Sequence, residues 1–147
     1  MYLIGTRNIA SQDLAIGQAL NLGEIYRKYC RKNYYGVKAF DFNGTSISLQ
    51  HSGIYHITAN ITFTAPAAGD VTFQLSVNST PIPGALATET VTTATTEVNT
   101  TTIDFFVLVD NNCVLNTPAV SVSNISVLNT GVASTVTNVI FNVEKVV

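Results

Sequence analysis

The side chains able to carry acid–base or nucleophilic chemistry are few in this sequence, and they are scattered. His51 and His56 are its only histidines, and imidazole is the side chain whose ordinary pKa lets it exchange a proton near neutral pH. Nucleophilic hydrolysis needs a hydroxyl or thiol beside such a base, with a third group to orient the base. Nothing around either histidine sets up that order, and His56 stands at a polar position of an alternating run, where it reads as a plain surface residue. The acids after residue 38, Asp41, Asp70, Glu89, Glu97, Asp104, Asp110 and Glu144, fall singly and form no carboxylate pair of the kind glycoside hydrolysis uses. Asp70, Asp104 and Asp110, with Asn111 and Asn112, offer oxygens to calcium but lack a dense acidic loop. Cys30 and Cys113 match no metal or redox spacing and are expected as two free thiols. Glycine-rich phosphate loops are absent. The expectation is binding without catalysis, with no cofactor and no metal.

The elements that would position a binding surface are marked first by charge. Six of the seven Lys and Arg residues (Arg7, Arg27, Lys28, Arg31, Lys32, Lys38) lie in the first 38 positions, against Asp13 and Glu24. The rest of the chain holds Lys145 alone against seven acids. Such asymmetry suggests two pieces with different partners, and we draw a boundary after Gly36: a basic N-terminal segment, 1–36, and a domain, 37–147. Loose three-to-four spacing of Leu14, Ile16, Ala19 and Leu20 allows a short helix or turn over Ser11 to Leu20. Arg27, Lys28, Arg31 and Lys32 alternate with Tyr26, Tyr29, Tyr34 and Tyr35, the composition of a docking arm or a nucleic-acid patch. A solvated linker face is the plainer reading. Nucleic acid is the weakest of the three, because the acidic remainder would repel phosphates.

After Gly36 the chain reads as strands. Tyr55, Ile57, Ala59, Ile61, Phe63 and Ala65 alternate with polar partners, giving one apolar face. Pro66 to Gly69 reads as a hairpin connection to a second alternating run, Val71 to Val77. Pro81, Pro83 and Gly84 then end that run, because proline cannot donate to a central ladder. Nine threonines in the fifteen positions Thr88 to Thr102 read as one further strand. Next, Ile103, Phe105, Val107 and Val109 share a face, while Phe106 and Leu108 make the other face apolar too, so this strand needs cover on both sides. Either both sides are internal core or Phe106 and Leu108 meet another subunit. Asp110-Asn111-Asn112 reads as a turn, Val120 to Leu128 as a strand, Asn129-Thr130-Gly131 as a turn, and Val139, Phe141 and Val143 as the closing strand. Charged residues make up only 11% of the sequence, and Thr, Ser and Asn fill the polar positions. Five Asn-x-Ser/Thr strings, at Asn43, Asn60, Asn78, Asn99 and Asn124, follow from that abundance and are assigned no glycans.

Eight to ten short strands with turn punctuation fit an all-β antiparallel sandwich or jelly roll. Ser52-Gly53-Ile54-Tyr55-His56-Ile57 resembles the Gly-x-Tyr signature of an inner strand in the tumour necrosis factor and complement globular-head superfamily. Leu75 to Gly84, with Val77-Asn78-Ser79 and Pro81-Ile82-Pro83-Gly84, resembles a segment in the C-terminal domains of collagen-like spore-surface proteins and of many tailed-phage structural proteins. It departs from that pattern at Ser79, where relatives often carry Gly. Phe141 to Val146 is similar to their final strand, and Met1 to Ala10 is similar to the leader of small phage capsid-decoration and head-fibre proteins. The resemblance covers roughly residues 37 to 147 and implies a TNF-like jelly roll that forms homotrimers, preceded by a short, mostly non-β arm. A subunit interface at Tyr55, Phe105, Phe106, Leu108 and Phe141 is expected with it, since a monomer rarely leaves so large an apolar area exposed.

Two functions follow as expectations. The first is a structural virion protein of a tailed phage, a trimeric capsid decoration or head-fibre protein on the outer surface of the particle, made in the host cytoplasm. It would be anchored to the major capsid protein or another scaffold protein through Arg7, Tyr26, Arg27, Lys28, Tyr29, Arg31 and Lys32. The second is a receptor- or glycan-binding knob of a tail fibre, baseplate or spore surface, with its function in apical loops such as Thr88 to Asn99. Neither requires nucleic acid, and no run of apolar residues is long enough to insert into a membrane as a helix.

Overall fold

Period-two burial organises the chain. The computed structural model describes residues 2–30, 38–109 and 123–147, and the described residues form strands and turns, with no helix among them. Before residue 50 the strands are β1 (Tyr2–Asn8), β2 (Gln12–Leu14), β3 (Glu24–Cys30), β4 (Phe40–Phe42) and β5 (Ile47–Leu49). Then follow β6 (Gly53–Thr64), β7 (Gly69–Val77), β8 (Thr80–Val91), β9 (Asn99–Val109), β10 (Ser123–Asn129) and β11 (Ser134–Lys145). One sheet runs β3-β1-β11-β6-β9, with β2 also on β11, and the other runs β4-β5-β10-β7-β8. All the pairings are antiparallel. This is the expected sandwich.

The core lies between the sheets. Tyr55, Ile57, Ala59, Ile61 and Phe63 of β6, with Val139, Phe141 and Val143 of β11, are fully buried against Phe73 and Leu75 of β7 and Ile125 and Val127 of β10. Rings interlock across the gap edge to face, Phe63 with Phe73 at 5.3 Å and Phe40 with Tyr55 at 6.2 Å, the geometry that aromatic quadrupoles favour.

Three local expectations are corrected by the structure, and a fourth is narrowed. The Pro66 to Gly69 connection is no hairpin, because β6 and β7 belong to different sheets; the chain crosses the sandwich there. Pro81 and Pro83 do not end a strand. They lie within β8, which pairs only with β7 at the border of its sheet, where a missing N–H breaks no central ladder. The threonine-rich stretch is two strand ends joined by a loop. The Glu97 carboxylate accepts the backbone N–H groups of Thr92 and Thr93 at 2.7 and 3.1 Å, and Thr95 turns the chain at φ +65°. Of the helix or turn expected over Ser11 to Leu20 the chain forms the turn, at Ile16 and Gly17, closed by the Gln18 N–H donating to the Ala15 carbonyl at 3.2 Å. The side chains of Gln12 and Gln18 hydrogen-bond backbone groups of Asn21 and Ala15, and the segment runs along β10, with Leu20 N–H donating to Val127 O at 2.8 Å.

The largest correction concerns residues 1–36. Residues 2–30 are part of the sandwich, not a mostly non-β arm. β1 is an interior strand, in register with β11 from Tyr2 opposite Lys145 to Asn8 opposite Val139, and with β3 on its other side. Ile4, Leu14, Leu20 and Leu22 all belong to the core. Gly23 makes the return possible. Its φ is +79°, and a Cβ there would stand 2.1 Å from the Arg7 carbonyl oxygen. The charge boundary misled because β3 is exposed along its whole length. An edge strand can carry basic side chains in any phase, so charge marks a surface here and not the end of a domain.

Candidate functional site

The outward face of the first sheet carries the main unsatisfied apolar surface. On β9 the inward residues Ile103, Val107 and Val109 are buried, whereas Phe106 and Leu108 remain 57% and 67% exposed. Among the described residues, the second apolar face of this strand therefore has no cover. Antiparallel register sets Ile54 opposite Leu108 and His56 opposite Phe106, and Ile54 is exposed as well. The His56 ring stacks on Phe106 with centroids 4.7 Å apart. Its Nε2 lies 2.6 Å from Oδ1 of Asp104, two residues from Phe106 on the same face of β9. Phe106 is thus stacked on a histidine that is itself held by a carboxylate, while Leu108 and Ile54 extend the apolar area beside it. A histidine and an acid form no triad by themselves, and no nucleophile completes one among the contacts of this pair. Sequence reasoning put Phe106 and Leu108 here but missed the His56–Asp104 pair. The pair becomes legible only once the β6–β9 register is known.

The other expected interface residues are not on that face. Tyr55 and Phe141 are fully buried inside their own chain, and Phe105 points inward, half-buried against the core. Alternation requires this, since Phe105 and Phe106 must leave opposite faces of β9. The Tyr55 hydroxyl donates to the His51 carbonyl at 2.6 Å, and burial pushes its pKa from 10 up to about 12. The unfolded chain therefore ionises this phenol first. Stability from this group is complete below pH 10 and is lost as pH rises toward 12, by about 1.4 kcal/mol per pH unit. Denaturant unfolding of the wild type and of Tyr55→Phe at pH 10 and pH 12 should show the wild type losing more stability than the variant. Equal losses would mean that the phenol ionises as readily in the folded chain as in the unfolded one.

The basic–aromatic surface lies on β3. Arg27, Lys28, Tyr26 and Tyr29 are exposed, and so is the free thiol of Cys30; Arg31, Lys32, Tyr34, Tyr35 and Cys113 fall outside the described residues. Arg7 is engaged with Glu24 at 3.4 Å, an exposed pair of small energetic consequence. The Tyr26 ring lies across Gly5 so that its hydroxyl donates to Asn142 Oδ1 at 2.7 Å. A Cβ on Gly5 would stand 2.9 Å from that ring. A side chain at this position would have to push that ring and the Asn142 amide aside. Among the described residues no group of three His, Cys, Asp or Glu side chains is disposed to hold a metal ion. Asp70 accepts from the Thr90 hydroxyl at 2.7 Å, and Asp110, Asn111 and Asn112 fall outside the described residues.

A second feature, absent from the sequence reading, lies on the outward face of the other sheet. Asn43 in the β4–β5 turn, Asn78 in the β7–β8 turn, and Asn124, Ser126 and Leu128 of β10 line a pocket of about 410 Å³, closed on one side by Ala19. Three of the five Asn-x-Ser/Thr asparagines meet in it. The turn positions of Asn43 and Asn78 were the available signal.

No family model and no curated protein matches the chain. Solved structures do. The globular domain of the zebrafish complement 1qA protein superposes with a TM-score of 0.61 at 5% identity, covering 100% of this chain and 98% of its own. The fold is the TNF-like jelly roll. The Eiger TNF of S. frugiperda matches at 0.54 and 13% identity, with coverage of 100% and 94%. The PRD1 vertex protein P5 matches at 0.52 and 14%, with coverage of 97% and 93%. The jelly-roll likeness thus takes in the N-terminal strands too, although the sequence resemblance began only near residue 37. At these identities the likeness is one of fold. No described helix is long and apolar enough to cross a membrane.

Proposed function

We propose that the chain is a structural virion protein of a tailed phage, a trimeric capsid decoration or head-fibre protein that works by binding and has no catalytic step. The observation that carries this reading is the uncovered face of β9, where Phe106 and Leu108 stand more than half exposed beside Ile54. A contiguous apolar patch rimmed by polar residues marks an interaction site, and the resemblance of the sequence to superfamily members that form trimers supplies the partner, a second and third copy. The likeness in fold to a phage vertex protein supports a place on the particle. In this reading attachment runs through the β3 surface, where Arg27 and Lys28 give charge and Tyr26 and Tyr29 give apolar area.

Replacing Arg27 and Lys28 together with Gln should weaken co-sedimentation with particles lacking the protein and leave the fold intact, because both side chains are exposed. About 1 M salt, where the screening length is about 3 Å, should weaken the wild type similarly. Wild-type occupancy of the variant would move the attachment surface elsewhere on the jelly roll.

A further inference from the structure

We propose that the pocket between the β4–β5 and β7–β8 turns binds a neutral saccharide. It does not rest on the assembly proposed above, because the pocket opens on the outward face of the second sheet and a single chain carries it whole.

Three carboxamides line this pocket, and in each the oxygen is already committed. Asn43 Oδ1 accepts the backbone N–H groups of Thr45 and Ser46 at 3.1 and 2.9 Å. Asn78 Oδ1 accepts the Asn124 N–H at 3.0 Å, and Asn124 Oδ1 accepts the Ser48 hydroxyl. A backbone N–H can bond only the oxygen of an amide, so the orientation of Asn43 and Asn78 is decided by chemistry. What remains on all three is the NH₂ group, and among the described residues none of these nitrogens has a hydrogen-bond partner. Two donors of fixed orientation, on Asn43 and Asn78, thus line one recess with the amide of Asn124 beside them.

The rest of the lining selects the ligand. None of the lining residues is charged, so neither an anion nor a cation finds a counter-charge. Leu128 and Ala19 add an apolar patch suited to the C–H face of a pyranose ring. A sugar offers ring and hydroxyl oxygens to the amide donors, and its own hydroxyls can donate in turn to Thr and Ser oxygens. The volume falls in the range of small-ligand sites, about 300–1,000 Å³. Because the amides are already held by the turns, little side-chain ordering remains to oppose binding.

Substitution of Asn by Asp separates a ligand role from a turn role. Aspartate keeps the accepting oxygen and tolerates the left-handed backbone of position 78 (φ +51°), yet it presents no N–H. The test is an amide NMR titration of the full chain with glucose, galactose, mannose and N-acetylglucosamine, and separately with glucuronate and phosphate. At least one neutral sugar should shift the side-chain amides of Asn43, Asn78 and Asn124 saturably. The Asn43→Asp/Asn78→Asp variant should fold and bind that sugar about tenfold or more weakly, the loss expected for two hydrogen bonds. Asn60→Asp, on the other sheet, should bind normally. If the double variant does not fold, the wild-type shift map decides alone. The proposal is overturned if no neutral sugar perturbs these amides, if only the anions do, or if the folded double variant keeps wild-type affinity.

Discussion

A chain beginning at Val37 will not fold. It lacks β1, which separates β3 from β11 in the first sheet, and it lacks Ile4, Leu14, Leu20 and Leu22, all 4% exposed or less. Loss of one large buried aliphatic side chain costs about 2–5 kcal/mol, and a domain has about 5–15 kcal/mol to lose. Four such losses, with the interior side of β11 and β10 laid open to water, exceed that reserve. Far-UV circular dichroism and denaturant titration of the shortened chain should show no cooperative transition. A cooperative transition close to that of the full chain would mean that the first thirty-six residues are dispensable after all, and would restore the boundary that charge suggested.

Substitution of Phe106 or Leu108 by Asp should have the opposite character, leaving the single chain folded and removing the proposed trimer. Both side chains are largely exposed in the isolated chain, and surface substitutions of this kind usually shift stability by within about 0.5 kcal/mol. In the assembly the new carboxylate would be buried in an apolar contact with no partner, at a cost of several kcal/mol, and Phe106→Asp would also add a charge beside Asp104. At 1.4 kcal/mol per factor of ten, a cost of about 3 kcal/mol weakens association more than a hundredfold. Light scattering should report three chains for the wild type and one for each variant, with unchanged far-UV spectra. Variants that retain a three-chain mass would show that this face meets solvent and that subunits join elsewhere.

How much of this was readable depends on where each strand sits. β6 and β11 are interior strands with one face to the core, so Tyr55 to Phe63 and Val139 to Val143 alternate cleanly and were found. β9 is legible too, since its double apolar character by itself implies a face that the strand's own sandwich does not cover. β1 escaped because two of its inward or close-packed positions are Gly5 and Thr6, which carry no hydrophobic signal, while β3 has no buried side to set a period. Pro81 and Pro83 hid the continuation of β8, since a central strand could not hold them and nothing local says which strands lie at a border. The pocket and the His56–Asp104 pair were illegible for a different reason. Each joins residues distant in sequence, and only the register of β6 on β9, or of β10 beside two turns, brings them together.

The side-by-side placement of β1 and β11 has a consequence for how the molecule is made. β11 is translated after the other strands of both sheets, yet it occupies the middle of the first sheet, holding β1 on one side and β6 on the other. Until it emerges from the ribosome, β1 and β6 each lack their shared neighbour, and Ile4, Ile57 and Phe63 lack the side chains of Val139, Phe141 and Val143 alongside them. The nascent chain must therefore keep β1 unpaired on that side until the residues of β11 have been made. Closure is a late, long-range event of the kind that makes all-β domains fold in milliseconds to seconds.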